Sequence, residues 1–394
     1  MRIPNKAGSP LYRVENGRKL HNAFEIVMDE KIDPAQLKAA VEDAVRIFPP
    51  VGYSVICEEG MVFFTENDRE IVVPGSDTGI IQGSDALNGH VFCVSYKDNK
   101  IRSNISHIIT DGGGMNRFAN ALIRSYCRYH YGTDTDLPDR LPDEVLLTDY
   151  MDLDYSDVED IEEEIFEKQG FVLPETIQGK ETGKNTAMCT VRVPEERFME
   201  FVKANGTSAS VMMFLVFAKS VYKNCGEAKG HPVAGRITVN ARKQLGIPDI
   251  FMNCSLGGQI SVTDEALAKD GFAGLGPVLR TSIKRQTSPG YLRYIAKGIQ
   301  ETGGFPKDLH PTVSLSYMGP VSFGECNAHI KDVLLYEGEV HKLNAYTFGG
   351  EFRLVFHFGE GSGKYAQGVA DILNETGVGA VCDGMVYLPE ETEG

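Results

Sequence analysis

The feature that most constrains the fold is a junction between a strand pattern and a helix pattern at residues 106–114, Ser-His-Ile-Ile-Thr-Asp-Gly-Gly-Gly. Before it, residues 90–96 and 101–109 read as two strands joined by a polar turn at 97–100. After it, apolar residues recur at spacings of three and four, as on one face of a helix: Met115, Phe118, Ala119, Leu122, Ile123 and Tyr126. The junction therefore predicts a layered structure of sheet and helix.

His107 and Asp111 lie four residues apart at this junction, directly before three glycines. Histidine is the side chain whose unperturbed pKa lies closest to neutrality, so an imidazole can take up and return a proton during catalysis. A strand-end histidine beside a helix-capping aspartate explains the same residues structurally, and the spacing alone does not separate these interpretations. Strand ends in α/β sheets commonly display reactive groups, which makes His107 the candidate catalytic residue.

Length and charge limit the classes of protein. The 394 residues are enough for two domains, each with a core of its own. With 42% hydrophobic and 24% charged residues, the composition is that of an ordinary globular protein. The net charge of -16 argues against binding to nucleic acid or to an anionic membrane surface, because both require clustered cations.

The remaining patterns point to a cytoplasmic protein without a bound metal. The first residues contain no apolar signal segment, and the most apolar stretch, 211–221, is too short to span a membrane and contains Lys219. The eight cysteines are scattered without Cys-x-x-Cys spacing, as expected of reduced core thiols. No histidine has metal-ligand spacing to cysteine or carboxylate.

The clearest break in composition is an acidic run at 149–167, followed by a polar stretch at 178–185. Runs of like charge are usually solvated and often mark a connection between folded units. We therefore predict an N-terminal domain over residues 1–150, an acidic crossover over 151–185 and a C-terminal domain over 186–394. No convincing sequence repeat relates the two predicted domains.

Both predicted domains combine strand and helix patterns. The helix at 34–47 has good start signals, because Asp33 is a suitable N-cap and Pro34 suits the first turn. The predicted strands are 24–28, 52–57, 61–65, 187–193, 236–239 and 352–357, and the predicted helices are 34–47, 195–204 and 364–374. We expect an α/β (α+β layered) fold in which each domain is a mixed sheet flanked by helices.

His107-Ile-Ile-Thr-Asp111-Gly112 resembles the His-x-x-x-Asp-Gly signature of the chloramphenicol acetyltransferase-like superfamily. That superfamily includes alcohol acetyltransferases, polyketide-associated acyltransferases and the condensation domains of nonribosomal peptide synthetases. Other segments are similar to the superfamily in the same order along the chain: 24–49, 193–222, Thr238-Val239-Asn240-Ala241-Arg242 and Ser314-Leu-Ser316-Tyr317-Met-Gly319. The last of these is similar to the alcohol acetyltransferase branch.

The chain also departs from the superfamily pattern. A His-His doublet is common there, whereas this chain has Ser106-His107, and Tyr317 stands where the late motif often has asparagine. The chain contains no tryptophan, so the Asp-Phe-Gly-Trp-Gly motif of the plant branch is absent. These departures leave the branch open and do not affect His107.

The resemblance implies two chloramphenicol acetyltransferase-like domains with a channel between them. It implies transfer of an acyl group, in the first place acetyl, from the co-substrate acyl-CoA to a small-molecule alcohol or amine, with no permanently bound cofactor. His107 would be the general base, and the reaction would need no acyl-enzyme. Asp111, paired with Arg242, and Gly112 would be structural, and Ser316 or Tyr317 would donate to the oxyanion.

Two alternatives stay open. A non-catalytic member of the superfamily would keep the fold and use its channel for binding or its surface for protein partners. The intact His107, Asp111 and Arg242 favour an enzyme, because a protein without catalytic function would most readily lose the histidine. A condensation-type enzyme would take its thioester from a carrier protein, which the acidic charge of this chain disfavours. The acceptor, the acyl chain length and the oligomeric state are not encoded in a short motif.

Overall fold

The computed structural model describes residues 2–9, 21–76, 82–161, 169–174, 187–304, 310–337, 342–357, 361 and 363–387. The strands are β1 (Arg2–Asn5), β2 (His21–Met28), β3 (Ser54–Glu58), β4 (Met61–Thr65), β5 (Phe92–Lys97), β6 (Lys100–Ser106), β7 (Ala187–Pro194), β8 (Val233–Asn240), β9 (Ser255–Val262), β10 (Val313–Pro320), β11 (Ile330–Glu337), β12 (Lys342–Phe348), β13 (Glu351–His357), β14 (Val381–Cys382) and β15 (Val386–Tyr387). The α-helices are α1 (Pro34–Ile47), α2 (Gly112–Tyr131), α3 (Asp143–Leu146), α4 (Glu195–Ala204), α5 (Ala209–Asn224), α6 (Asp264–Gln286), α7 (Pro289–Thr302) and α8 (Gly363–Glu375).

A four-stranded sheet in the order β11-β2-β6-β5 carries the strand-to-helix junction. Neighbouring strands in it are antiparallel, as the short turn between β5 and β6 requires. The hairpin predicted at 90–109 is present, but β6 ends at Ser106 and not at residue 109. The backbone N–H of Ile109 donates to the carbonyl of Ser106 at 3.1 Å, which closes a turn and ends the strand.

The larger sheet is mixed and has the order β14-β7-β13-β12-β10-β8-β9, with β15 also paired to β7. Strand β10 runs parallel to both of its neighbours, and the other pairs are antiparallel. Helix α5 packs beneath this sheet with 12 of its 16 residues buried, which explains why its sequence is apolar on nearly every side. The predicted α/β class is therefore confirmed.

Strand β11 belongs to the C-terminal part of the chain but completes the four-stranded sheet through antiparallel pairing with β2. Side chains of the larger sheet hold it there. The hydroxyl of Tyr346 and the guanidinium of Arg353 both donate to the carbonyl of Val333, at 2.7 and 2.8 Å. The two sheets are thus joined by a shared segment of chain, across the division predicted between residues 1–150 and 186–394.

That division and the predicted acidic crossover stay predictions, since residues 162–168 and 175–186 lie outside the described part of the chain. Other sequence expectations are confirmed locally. Helix α1 begins at Pro34, and the carboxylate of Asp33 accepts the backbone N–H of Gln36 at 3.0 Å. The strands predicted at 52–57 and 61–65 are present as β3 and β4, which pair with each other and with β1 in a separate three-stranded sheet.

Among the described residues, no single helix has the length and apolar character to cross a membrane. By length and composition alone, α4 and α5 satisfy the test as a pair, and an 87° bend separates them.

Tyr346→Phe tests the link between the two sheets. The hydroxyl is fully buried, so its loss leaves the carbonyl of Val333 with one hydrogen bond fewer and should lower the free energy of unfolding by about 1–2 kcal/mol. Denaturant titration measures this, with Tyr294→Phe in helix α7 as the control, because Tyr294 is only partly buried. Equal stability of the two variants would show that the Tyr346 hydroxyl does not hold β11.

Candidate active site

The strand-to-helix junction is shaped by the side chain of Asp111. Its Oδ1 accepts the backbone N–H groups of Gly113 and Gly114 at 2.9 and 3.2 Å, so it caps the N-terminus of helix α2. Uncapped N–H groups at a helix start are otherwise unsatisfied, and an aspartate is among the best residues to satisfy them. Residues 107–109 form the turn before this cap, which places His107 directly after the end of β6.

Asp111 also forms a buried ion pair with Arg242, which follows strand β8. The Arg242 Nη1 lies 2.9 Å from both carboxylate oxygens, and the two residues are 1% and 3% exposed. The backbone N–H of Cys254 adds a hydrogen bond to Oδ2 at 2.8 Å. The rest of the guanidinium donates to the carbonyls of Ile250 and Met252, at 3.0 and 2.6 Å. The pairing that the resemblance implied is present.

These contacts decide the charge of the carboxylate. Burial opposes ionisation of Asp111, but the Arg242 charge and the Cys254 N–H outweigh it and hold the pKa of Asp111 below its ordinary value. A carboxylate kept ionised and fully bonded has no role as a proton carrier. Its function is to join the junction to the segment that follows β8.

His107 is partly exposed, and its ring contacts Asn253. The Nδ2 of Asn253 lies 3.1 Å from the ring Nδ1 and 3.4 Å from the backbone carbonyl of His107. Sequence reasoning missed Asn253. The available signal was its position as the only asparagine or other large polar residue in the run Ile250-Phe-Met-Asn-Cys-Ser-Leu256, since a polar amide amid apolar residues must be hydrogen-bonded when it is buried.

Close packing at the junction constrains Gly114 rather than Gly112, which the sequence singled out. A Cβ at Gly114 would overlap Thr110 Oγ1 and lie 2.9 Å from the carbonyl oxygen of Phe251. Thr110 cannot easily turn away, because its hydroxyl donates to that same carbonyl at 2.5 Å. A Cβ at Gly112 would instead be 3.5 Å from Met318 Cε, an ordinary contact.

Of the two predicted oxyanion donors, the structure separates Ser316 from Tyr317. Side chains alternate between the faces of a strand, and in β10 the partly buried Tyr317 packs against the core of the larger sheet, with its ring 5.3 Å from that of Phe352. This position favours Ser316 over Tyr317, and the role of Tyr317 as an oxyanion donor stays a prediction. Ser316 shares the opposite face with Met318, the residue nearest Gly112, and its role stays a prediction.

Asn344 is a second polar residue that sequence reasoning missed. It is paired in register with Ser316 on the neighbouring strand β12 and is 1% exposed. Neither atom of its amide has a hydrogen-bond partner. A buried amide without partners costs about 1–3 kcal/mol, so this position is unfavourable for the protein alone.

Within the described ranges, no group of three or more His, Cys, Asp and Glu side chains has the arrangement of a metal site. His90 is buried, and its ring contacts the carbonyls of Gly52 and Arg69 at 2.9 and 3.1 Å, as a structural histidine does.

Solved structures with the same architecture have low sequence identity to this chain. TRI101 of F. sporotrichioides, complexed with coenzyme A and T-2, has a TM-score of 0.62 and 12% identity, covering 98% of this chain and 100% of that chain. Polyketide synthase associated protein 5 from Mycobacterium tuberculosis has a TM-score of 0.64 and 12% identity, covering 94% and 97%. The epimerization domain from the third module of tyrocidine synthetase B has a TM-score of 0.60 and 11% identity, covering 95% and 98%.

The chain has the chloramphenicol acetyltransferase-like fold. At this identity the likeness is one of fold, and activity is a separate question. No protein-family model matches the sequence, and no curated relative does either.

Gly114→Ala and Gly112→Ala form a matched pair. The added methyl at Gly114 meets Thr110 and Phe251 and should lower the free energy of unfolding by about 1–3 kcal/mol. The same methyl at Gly112 has room, and alanine favours a helix, so stability should stay within about 0.5 kcal/mol of the parent or rise. Thermal and denaturant unfolding compare the two, and equal losses would contradict this packing.

Asp111→Asn tests the ion pair. The variant leaves the Arg242 charge buried without its counter-ion and should lose about 3–5 kcal/mol at pH 7. Because the folded-state pKa of Asp111 is depressed, its contribution is present above the unfolded-state pKa of about 4 and is lost as the pH falls through the folded-state value. The stability difference between parent and variant should therefore shrink below about pH 4. A difference independent of pH would contradict the ionised pair.

Proposed function

We propose that the protein transfers an acyl group, in the first place acetyl, from acyl-CoA to an alcohol or amine, with His107 as the general base. One observation carries the proposal. The junction contains two titratable residues. Asp111 is buried and ion-paired with Arg242, whereas His107 is partly exposed and lies directly after the end of a strand. The neighbours complexed with coenzyme A support acyl-CoA as the co-substrate, because they share the fold across nearly the whole chain.

In the proposed reaction, His107 takes the proton from the acceptor O–H or N–H as the acceptor attacks the thioester carbonyl. The carbon–sulfur bond of the resulting tetrahedral intermediate then breaks, and the imidazolium returns its proton to the leaving thiolate. A thiolate leaves readily, so no acyl-enzyme is required. General base catalysis of this kind contributes about 10²–10⁴-fold, and positioning of the two substrates contributes more.

The oxyanion of the intermediate needs hydrogen-bond donors, and Ser316 is the preferred candidate, because it shares a face of β10 with Met318, which lies near Gly112. Asn344 lies beside it on β12 with both amide atoms unpaired. A substrate carrying a hydroxyl or amide group beside Ser316 would satisfy that amide. A test panel of acceptors should therefore compare plain alkanols and alkylamines with acceptors that carry additional hydroxyl or amide groups.

The compartment and the form of the donor belong to the same proposal. All eight cysteines are free, and most are buried, which supports a reducing compartment and hence the cytoplasm. The net charge of -16 supports free acyl-CoA over a thioester on an acidic carrier protein, because like charges repel.

His107→Ala is the decisive variant. Release of free thiol from acetyl-CoA and from longer acyl-CoAs, measured with the acceptor panel, should fall at least about 10²-fold while coenzyme A binding and the free energy of unfolding stay unchanged. His231→Ala is the matched control, because His231 is exposed and outside the junction, and it should keep full activity.

Unchanged turnover in His107→Ala would remove His107 as the base. Binding of coenzyme A without turnover by the parent protein would instead favour the non-catalytic alternative. Turnover only with a carrier-protein thioester would favour the condensation-type alternative.

A further inference from the structure

We infer that Asn253 is a positioning residue that decides which ring nitrogen of His107 carries the proton, and that its amide turns over during the catalytic cycle. The catalytic part of this inference rests on the proposed function. The part that concerns the resting ring does not, because it follows from hydrogen-bond donors and acceptors alone.

The resting orientation of the Asn253 amide is set by two backbone groups. Its Oδ1 accepts the N–H of Ser255 at 3.0 Å, and this N–H can only donate. Its Nδ2 faces the carbonyl oxygen of His107 at 3.4 Å, which can only accept. Both neighbours require the same assignment of oxygen and nitrogen. The amide nitrogen is therefore the atom that lies 3.1 Å from the His107 Nδ1.

An amide N–H donates, so Nδ1 of His107 must accept and must be without hydrogen in the resting protein. The neutral ring then carries its hydrogen on Nε2. Asn253 is buried, at 6% exposure, and covers the Nδ1 side of the ring. A substrate consequently meets the ring from the Nε2 side, where the resting form presents a donor and no lone pair.

Base action at Nε2 requires the opposite arrangement. The ring hydrogen must sit on Nδ1, so water takes the hydrogen from Nε2 and supplies a proton to Nδ1 as the amide turns, which leaves the ring neutral. Nδ1–H then needs an acceptor, most of all in the imidazolium that forms when Nε2 has taken the acceptor's proton. A half-turn of the Asn253 amide brings Oδ1 to Nδ1 and supplies that acceptor. The same turn withdraws Oδ1 from the Ser255 N–H, which favours return to the resting orientation after the proton has left.

The charged groups around the ring do not replace Asn253 in this role. Asp111 is the nearest carboxylate, and its oxygens are already engaged by Arg242, by the N–H groups of Gly113 and Gly114 and by that of Cys254. Arg242 is a donor only, and Arg117 beyond it donates to the carbonyls of Asp249 and Ile250. The Cys254 thiol is buried, and burial raises its pKa to about 12, which keeps it neutral.

Nitrogen-15 NMR of histidine-labelled protein tests the inference without any substrate, with His107→Ala to assign the resonance. In the parent protein the neutral His107 should show hydrogen on Nε2. In Asn253→Asp the carboxylate can only accept, so the hydrogen should move to Nδ1. In Asn253→Leu neither form is favoured, and exchange between them should average the signals. Hydrogen on Nδ1 in the parent, or the same tautomer in all three proteins, would overturn the inference.

Kinetics test the catalytic part. Asn253→Leu should lower kcat about 10-fold or more with little change in KM, because the amide is buried and acts through the ring. Asn253→Asp should retain transfer, and the acid limb of its rate profile should move to higher pH, because a carboxylate stabilises the imidazolium. Asn120→Leu in helix α2 is the control, because the Asn120 amide donates to the carbonyl of Asn116 in the same helix, and this variant should match the parent in kcat and in pH profile.

The NMR test of the resting tautomer and the kinetic test of the catalytic role can fail independently of each other. A tautomer shift in Asn253→Asp with kcat and pH profile unchanged in both variants would reject the catalytic role and keep the resting assignment. Absence of transfer by the parent protein would reject the proposed function and leave the NMR result standing. Far-UV circular dichroism and unfolding of each variant separate loss of function from loss of fold.

Discussion

The buried ion pair between Asp111 and Arg242 is the interaction on which the rest of the site depends. Asp111 lies between β6 and helix α2, and Arg242 follows β8, so the pair fastens the four-stranded sheet to the larger one. A buried ion pair is weak evidence for net stability, because desolvation offsets most of the attraction. The pair instead fixes the geometry of the junction, because separating two buried charges would leave each of them without its counter-ion.

The short segment from Ile250 to Ser255 carries this geometry to the individual atoms of the junction. Its carbonyls bind the Arg242 guanidinium and the Thr110 hydroxyl, its Cys254 N–H binds Asp111, and Asn253 meets His107. This one stretch of backbone therefore contacts the helix cap Asp111, its counter-ion Arg242 and the imidazole of His107. A displacement of that segment would move all three. A side chain at position 114 would cause such a displacement, because its Cβ would lie 2.9 Å from the carbonyl oxygen of Phe251.

Local patterns predicted the elements well and the contacts between distant elements poorly. Asp33 capping α1 and the hairpin before His107 follow from signals within a few residues. By contrast, no local signal pairs β11 with β2, because strand propensity does not identify a partner some 300 residues away.

The same argument explains why the imidazole was predictable and its orientation was not. A histidine before an aspartate and glycines is visible in the sequence, whereas the state of its ring depends on a hydrogen bond to a residue that arrives 146 positions later. That dependence joins chemistry to fold. His107 and Asp111 come from the N-terminal segment, whereas Arg242, which pairs with Asp111, and Asn253, which contacts the His107 ring, come from the C-terminal segment. The contacts of the candidate site therefore form only where these two segments meet.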